Sequence, residues 1–128
     1  MKLLLDTHTV LWMLDDYSKL SDKANVLLRD DSNALYVSVA TAWEVAIKTS
    51  LGKLPEFDGG VSSLFAKLEE MPIILLPIKH GYLEILETLP FFHRDPFDRL
   101  LIATAKYEDM TLLTADVNMK QYDVSIIW

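Results

Sequence analysis

The 128-residue sequence contains no cysteine, and this absence excludes several kinds of site. Without thiols the chain can form neither a disulfide framework nor a zinc–thiolate site, and it has no cysteine nucleophile. A protein without disulfides is typical of the cytoplasm, which we expect to be its compartment.

Long apolar runs are also missing. The N-terminal MKLLLDTHTVLWML begins like a signal peptide, but Asp6 and His8 interrupt it and no small-residue cleavage site follows. The remaining apolar runs are far too short to span a bilayer. We therefore expect neither a cleaved leader nor a membrane span.

Positive charge is scarce. Lysine and arginine number 12 against 19 aspartates and glutamates, which gives a net charge of −7. This balance argues against a general nucleic-acid-binding protein, which usually presents a basic face. It does not exclude a nuclease, because acids that bind Mg²⁺ make a chain acidic while the substrate is still a phosphodiester. It also favours a basic protein partner.

The composition is otherwise that of a globular protein, with 51% hydrophobic and 24% charged residues. We expect one domain over residues 1–128. Short apolar strands alternate with amphipathic helices, a pattern typical of a parallel sheet covered on both faces. The predicted fold class is α/β, a three-layer sandwich with a central parallel sheet flanked by helices. Strands are predicted at 2–5, 35–39, 73–76, 111–114 and 124–127, and helices at 7–14, 22–29, 40–51, 61–70, 79–89 and after Asp95.

The stretch HRDPFDRLLIATA, residues 93–105, predicts a buried helix whose start carries acids. Asp95 can cap the first turn, Pro96 suits the first helical position, and Asp98 is a favourable charge near the helix N-terminus. Capping accounts fully for only one of the two carboxylates. From this stretch alone, a capped helix and half of a metal site are both open interpretations.

Three further acids are expected at the same edge of the sheet. Asp6 and Asp116 each follow a predicted strand, at the edge where ligands bind in open α/β sheets. Glu44 lies in the helix after the second strand, although it could instead form a solvated pair with Lys48 one turn later. Gathered carboxylates raise one another's pKa values and oppose folding, so such a cluster needs a cation.

The residue types at this edge favour Mg²⁺, or Mn²⁺, over zinc, because the donors are carboxylate oxygens. The histidines show no metal-binding spacing and are expected at the surface or in a supporting position; they are His8, His80 and His93. Mg²⁺ held by carboxylates can orient a phosphodiester and lower the pKa of a bound water. This chemistry fits a chain without a Ser-His-Asp arrangement.

Four blocks of the sequence resemble the signature blocks of PIN-domain ribonucleases, in the same order. They are LLLDTH, SVATAWE, HRDPFDRLLIATA and LLTAD, which contain Asp6, Glu44, Asp98 and Asp116 respectively. More narrowly, the chain is similar to VapC-type toxins of toxin–antitoxin pairs. The resemblance implies that these four acids are the metal-binding and catalytic residues of a Mg²⁺-dependent endoribonuclease, with Asp95 as a further possible ligand. It also implies an RNA substrate, a homodimer, and a cognate antitoxin with a basic C-terminal segment.

Two alternative functions remain open at this point. A non-catalytic interaction module of the same fold would use the acids as helix caps and surface charges. An aspartyl-phosphate phosphatase or receiver-like domain would use Asp6, but such phosphatases have a second aspartate two residues later, where this chain has His8.

Other residues near the acids also have two interpretations. Thr7 and Thr114 could contact the metal shell or make only local turn bonds. Arg94 and Arg99 could contact phosphate, although a solvated or salt-bridged arginine is the favoured interpretation.

The aromatic residues are divided between core and surface. Trp12 and Trp43 are expected in the core. Phe91 and Phe92, in the loop before HRDPFDR, are better candidates for an exposed patch that a partner covers.

Overall fold

The computed structural model describes residues 1–128, and its centre is a five-stranded sheet. The strands are β1 (Lys2–Leu5), β2 (Ala34–Ser38), β3 (Ile73–Leu76), β4 (Thr111–Leu113) and β5 (Ile126–Ile127). They pair in the order β3-β2-β1-β4-β5, and every pair is parallel. The predicted α/β class with a parallel sheet is confirmed.

Six helices connect the strands. They are α1 (Thr7–Asp15), α2 (Asp22–Arg29), α3 (Val39–Ser50), α4 (Gly60–Glu69), α5 (His80–Thr88) and α6 (Pro96–Glu108). Short 3₁₀ turns lie at Tyr17–Lys19 and Val117–Gln121. None of the helices combines the length and apolar character needed to cross a membrane.

The sheet is covered on both faces, because successive strand residues point to opposite sides. In β1, Leu3 and Leu5 join the core formed with α1, α2 and α4, whereas Leu4 joins the core formed with α6. All three leucines are fully buried. The three-layer sandwich predicted from the sequence is therefore present.

One face of α3 differs from the prediction. Trp43, expected in the core, is 55% exposed and packs edge-on against Phe97, with ring centroids 5.0 Å apart. Ala40 and Ala42 are buried instead, Ala40 near α6 and Ala42 in the core on the opposite face of the sheet. These small side chains let α3 pack closely against both cores. The larger apolar side chains on its other face are left exposed to solvent. That exposed stripe consists of Val39, Trp43, Ile47 and Leu51.

Candidate metal centre

The candidate site lies at the carboxyl edge of the sheet, where the strand order reverses. β1 and β4 are neighbours, with β2 and β3 beyond one of them and β5 beyond the other. Such a switch point leaves a crevice at the strand ends, the usual ligand position in open α/β sheets. Asp6 follows β1 directly and Asp116 follows β4 after Thr114 and Ala115, so both predicted acids stand at this crevice.

Asp6 is a buried carboxylate held by three donors. Its Oδ1 accepts the backbone N–H of Thr9 (2.9 Å) and the Thr9 hydroxyl (2.6 Å), and so caps α1. Its Oδ2 accepts the Thr114 hydroxyl, and the same hydroxyl oxygen accepts the backbone N–H of Asp116 at 3.0 Å. Thr114 therefore links the two strand-end acids directly.

Glu44 lies in the second turn of α3 and is only 4% exposed. Its Oε1 accepts the Thr7 hydroxyl at 2.7 Å, and its Oε2 is paired with the Lys48 ammonium. The Glu44–Lys48 pair exists, but its carboxylate is buried. Partial burial alone would lower the pKa of Lys48; the Glu44 carboxylate outweighs this and raises it, with smaller contributions from Asp95 and Asp98.

The start of α6 carries two acids with different roles. Asp95 caps the helix, since its Oδ1 accepts the backbone N–H groups of Phe97 (2.9 Å) and Asp98 (3.0 Å). Asp98 lies in the first turn and its carboxylate caps nothing. Burial first, and then the charge of Asp95, raise the pKa of Asp98 to about 7; Asp6 and Glu44 add to the shift and His93 opposes it. An acid with such a pKa lies among negative charges that lack a full counter-charge.

His93, which the sequence analysis expected at the surface or in a supporting position, lies beside two of the acids. Its Nε2 lies 2.8 Å from Asp116 Oδ2 and 3.1 Å from Asp98 Oδ2. Burial opposes the charge of Asp116, but hydrogen bonds from His93 and from the Asn118 N–H outweigh it and lower the Asp116 pKa. His8 and His80 are exposed, as expected. One feature of the sequence indicated that His93 would lie near the acids. It stands two residues before Asp95, the aspartate that caps α6.

The predicted acids are gathered to different degrees. The ligand atoms of His93, Asp98 and Asp116 all lie within 4.8 Å of one another. Asp6 and Glu44 lie outside this closest group but near enough to affect the pKa of Asp98. A set of carboxylate oxygens with excess negative charge fits a hard divalent cation such as Mg²⁺.

Arg99 neither reaches the crevice nor forms a salt bridge, contrary to both interpretations of the sequence. It is buried, and its Nη1 donates to the Pro90 carbonyl (2.8 Å) and to Tyr122 Oη (3.2 Å). Tyr122 Oη in turn donates to the Pro90 carbonyl at 2.7 Å and accepts the backbone N–H of His93 at 2.9 Å. These contacts fix the loop that carries His93.

The fold and the acidic edge agree with a match to a family model. Residues 3–125 match the PIN domain. The chain therefore belongs to the PIN domain family. No curated protein sequence matches it.

Three solved structures share this fold over nearly the whole chain. A chain of VapBC2 from Rickettsia felis, bound to a promoter DNA fragment, gives a TM-score of 0.72 at 14% identity and covers 99% of this chain and 98% of that one. A chain of VapBC-1 from nontypeable Haemophilus influenzae gives 0.67 at 16%, with 99% and 97% covered. A toxin–antitoxin complex from Klebsiella pneumoniae gives 0.62 at 17%, with 98% and 96% covered. At these identities the likeness concerns the fold.

Proposed function

We propose that residues 1–128 form a single nuclease domain, a Mg²⁺-dependent endoribonuclease of the VapC type that acts as the toxin of a toxin–antitoxin pair. The observation that supports this best is the convergence of four acids at the switch point of a PIN-domain sheet. These acids are Asp6, Glu44, Asp98 and Asp116. Such a toxin would act in the cytoplasm, where its RNA substrates are.

In this proposal the four acids Asp6, Glu44, Asp98 and Asp116 would hold the metal, with Asp95 a possible further ligand through its second oxygen. Bound Mg²⁺ supplies activation of a water and neutralisation of charge on the phosphodiester, and Mn²⁺ can substitute because it takes the same oxygen ligands. The protein's own contribution is to orient the carboxylates before the metal arrives. Thr9 and Thr114 fix Asp6, and Thr7 and Lys48 fix Glu44.

The test is cleavage of single-stranded RNA by the purified protein during a Mg²⁺ titration. We expect cleavage that rises with Mg²⁺, is restored by Mn²⁺ and stops with a chelator. RNA left intact at saturating concentrations of both metals would favour the non-catalytic interaction module. A beryllofluoride adduct on Asp6 would favour the phosphatase, although Asp6 is buried and both its oxygens accept hydrogen bonds.

Glu44→Gln is expected to abolish RNA cleavage. The amide can still accept the Thr7 hydroxyl, but it removes the negative charge that faces Lys48 and the proposed cation. Because the carboxylate is buried, we expect the free energy of unfolding to fall by about 1 kcal/mol, the usual size of one lost hydrogen bond. Cleavage assays and urea unfolding measure the two effects.

The matched control is Glu108→Gln. The Glu108 carboxylate also accepts a lysine ammonium, that of Lys79 at 2.7 Å, but it lies at the far end of α6 from the acids. This variant should cleave RNA at the wild-type rate. Full activity in Glu44→Gln would make Glu44 a structural partner of Lys48 and remove it from the site.

The proposed antitoxin covers the acidic edge with its basic C-terminal segment, so that an arginine or lysine takes the place of the cation. Next to this edge, Phe91 is 83% exposed and Phe92 is 50% exposed, as predicted for a patch that a partner covers. We expect the cognate complex to cleave RNA more slowly than the free protein, and high salt to weaken the complex. A purified complex as active as the free protein would contradict this partner role.

We also propose a homodimer, as the resemblance to VapC-type toxins implies. The exposed apolar stripe on α3 described above is a surface that a second copy could bury. Light scattering of the purified protein would give twice the mass of the chain. Trp43→Glu, at the centre of the stripe, should reduce that mass to the monomer value.

A further inference from the structure

His93 contacts two of the proposed metal ligands through one nitrogen. Its Nε2 lies 2.8 Å from Asp116 Oδ2, its hydrogen-bond partner, and 3.1 Å from Asp98 Oδ2, and its side chain is only 15% exposed. The resemblance to the PIN family assigns no role to this position. The question is whether the imidazole would bind a metal ion or occupy the place of one.

The other ring nitrogen decides the tautomer. The backbone N–H of Asp95 donates to His93 Nδ1 at 3.1 Å, so Nδ1 must carry a lone pair and no proton. The hydrogen-bond pattern therefore assigns the Nε2–H tautomer, in which Nε2 donates to Asp116 Oδ2 and lies beside Asp98 Oδ2. A nitrogen that carries a proton has no lone pair for a metal, so this ring is not arranged as a ligand.

The backbone holds the ring in this position. The His93 N–H donates to Tyr122 Oη at 2.9 Å, and Tyr122 is anchored to the Pro90 carbonyl at 2.7 Å. Tyr122 is itself buried, and its ring packs edge-on against Phe92 with centroids 5.1 Å apart. The imidazole is thus oriented towards the acids by two contacts, the backbone bond to Tyr122 and the bond from the Asp95 N–H to Nδ1.

We propose that His93 is a positioning residue whose Nε2–H, in the metal-free protein, holds Asp116 beside Asp98 and so competes with the divalent cation that these carboxylates would bind. Without a metal, the N–H offsets part of the negative charge of Asp116 beside Asp98. A cation that Asp98 and Asp116 would hold competes with this N–H for the Asp116 carboxylate, so His93 also lowers the affinity for metal. The inference rests on the proposed metal-dependent nuclease. It makes His93 a competitor of the metal ion for the carboxylates of that site.

His93→Asn separates the two sets of contacts. An asparagine oxygen can accept the backbone N–H two residues later, as in an Asx turn, and so keep the bond to Asp95. Its shorter side chain does not extend to the carboxylates as the imidazole does. His80→Asn is the matched control, because it makes the same change at an exposed histidine at the start of α5.

Isothermal titration of the metal-free proteins with Mg²⁺ alone, and then Mn²⁺ alone, tests the proposal without RNA. We expect His93→Asn to bind the metal about tenfold more tightly than wild type, the size of one hydrogen bond to a charged group, and His80→Asn to bind like wild type. Weaker binding by His93→Asn would make His93 a ligand, and unchanged binding would make it purely structural; either result overturns the proposal. No binding by wild type or variant would also overturn it.

A spectroscopic measurement checks the tautomer directly. Two-bond ¹H–¹⁵N correlations of the imidazole in the metal-free protein should show protonated Nε2 and bare Nδ1, and Mg²⁺ should shift the Nε2 signal. A protonated Nδ1 would overturn the proposal. Mg²⁺ binding that shifts His93 in a protein unable to cleave RNA would defeat the nuclease function and leave this role of His93 in place.

Discussion

Asp98→Asn is expected to abolish RNA cleavage while leaving the metal-free protein at least as stable as wild type. Asparagine keeps the shape of aspartate and removes a charge that burial and the neighbouring Asp95 make unfavourable. Loss of one metal-binding carboxylate should slow cleavage on the order of 10³-fold, since a bound metal supplies several kcal/mol of transition-state stabilisation. A residue that served only the helix dipole would show the reverse pattern, full activity with slightly lower stability.

The pH dependence of the free energy of unfolding is a second measurement that tests the prediction for Asp98→Asn. The folded-state pKa of Asp98, about 7, lies above its ordinary value of 3.8, so between these pH values the folded protein binds more protons than the unfolded chain. Its contribution to stability is therefore complete at low pH and is lost as pH rises from about 4 to about 7. Asp98→Asn should remove this loss, as urea unfolding of the two metal-free proteins across that range would show.

Magnesium should separate the proteins further. A ligand that binds only the folded state stabilises it by about 2.7 kcal/mol at a hundredfold excess over its dissociation constant. Wild type should gain this amount and Asp98→Asn much less. Asp22→Asn is the control, because Asp22 is also a first-turn acid but lies exposed on α2. Equal stabilisation of wild type and Asp98→Asn by Mg²⁺ would show that Asp98 is not a ligand, and Asp95 would be tested next.

The parts of this site that follow from local chemistry could be predicted. Asp6 and Asp116 follow bare apolar strands, and parallel strands bring their carboxyl ends to one edge whatever the details of packing. The start of α6 was equally predictable, since Asp95 and Pro96 take the cap and first helical position that their chemistry favours. The predicted ends of helices and strands agree with the structure to within two residues, because residues close in sequence determine where an element begins and ends.

The parts that depend on contacts between distant elements could not be predicted. Trp43 is exposed because α3 packs inward through Ala40, Ala42 and Val45, and helical periodicity does not say which of two apolar faces turns inward. Glu44 and Lys48 are spaced like any surface pair. The Glu44 carboxylate is buried only because the fold brings Thr7 of α1 into contact with it. His93 has no ligand spacing in the sequence, because its partners Asp98 and Asp116 come together only in the fold.

Arg99 is expected to give the second large effect, on stability. It is 6% exposed and contacts no carboxylate; Nη1 donates to Pro90 O (2.8 Å) and Nη2 to Leu89 O (3.3 Å). These carbonyls lie at the C-terminal end of α5, where the helix dipole favours a positive charge. The guanidinium also stacks on the Phe91 ring, 4.0 Å from its centroid.

Arg99→Leu should lower the free energy of unfolding by about 3 kcal/mol. The substitution leaves the buried Leu89 carbonyl without the hydrogen bond from Nη2, and it removes the hydrogen bond from Nη1 to Tyr122 Oη. Arg99→Lys should lower it by about half as much, since one ammonium cannot donate in the two directions that the planar guanidinium serves. Arg94→Leu is the control; Arg94 lies in the loop before α6, is exposed, and should change stability by no more than about 0.5 kcal/mol when replaced. Urea unfolding of the three variants measures these differences.

The same contacts connect Arg99 to the acids. Tyr122 Oη accepts from Arg99 and from the backbone N–H of His93, so a looser Arg99 should let the His93 loop move away from Asp98 and Asp116. We therefore expect folded Arg99→Lys to bind Mg²⁺ more tightly than wild type, because the competing His93 N–H is withdrawn, although the Arg99 side chain lies outside the crevice. Wild-type Mg²⁺ affinity in Arg99→Lys, together with reduced stability, would restrict Arg99 to holding α5 against α6.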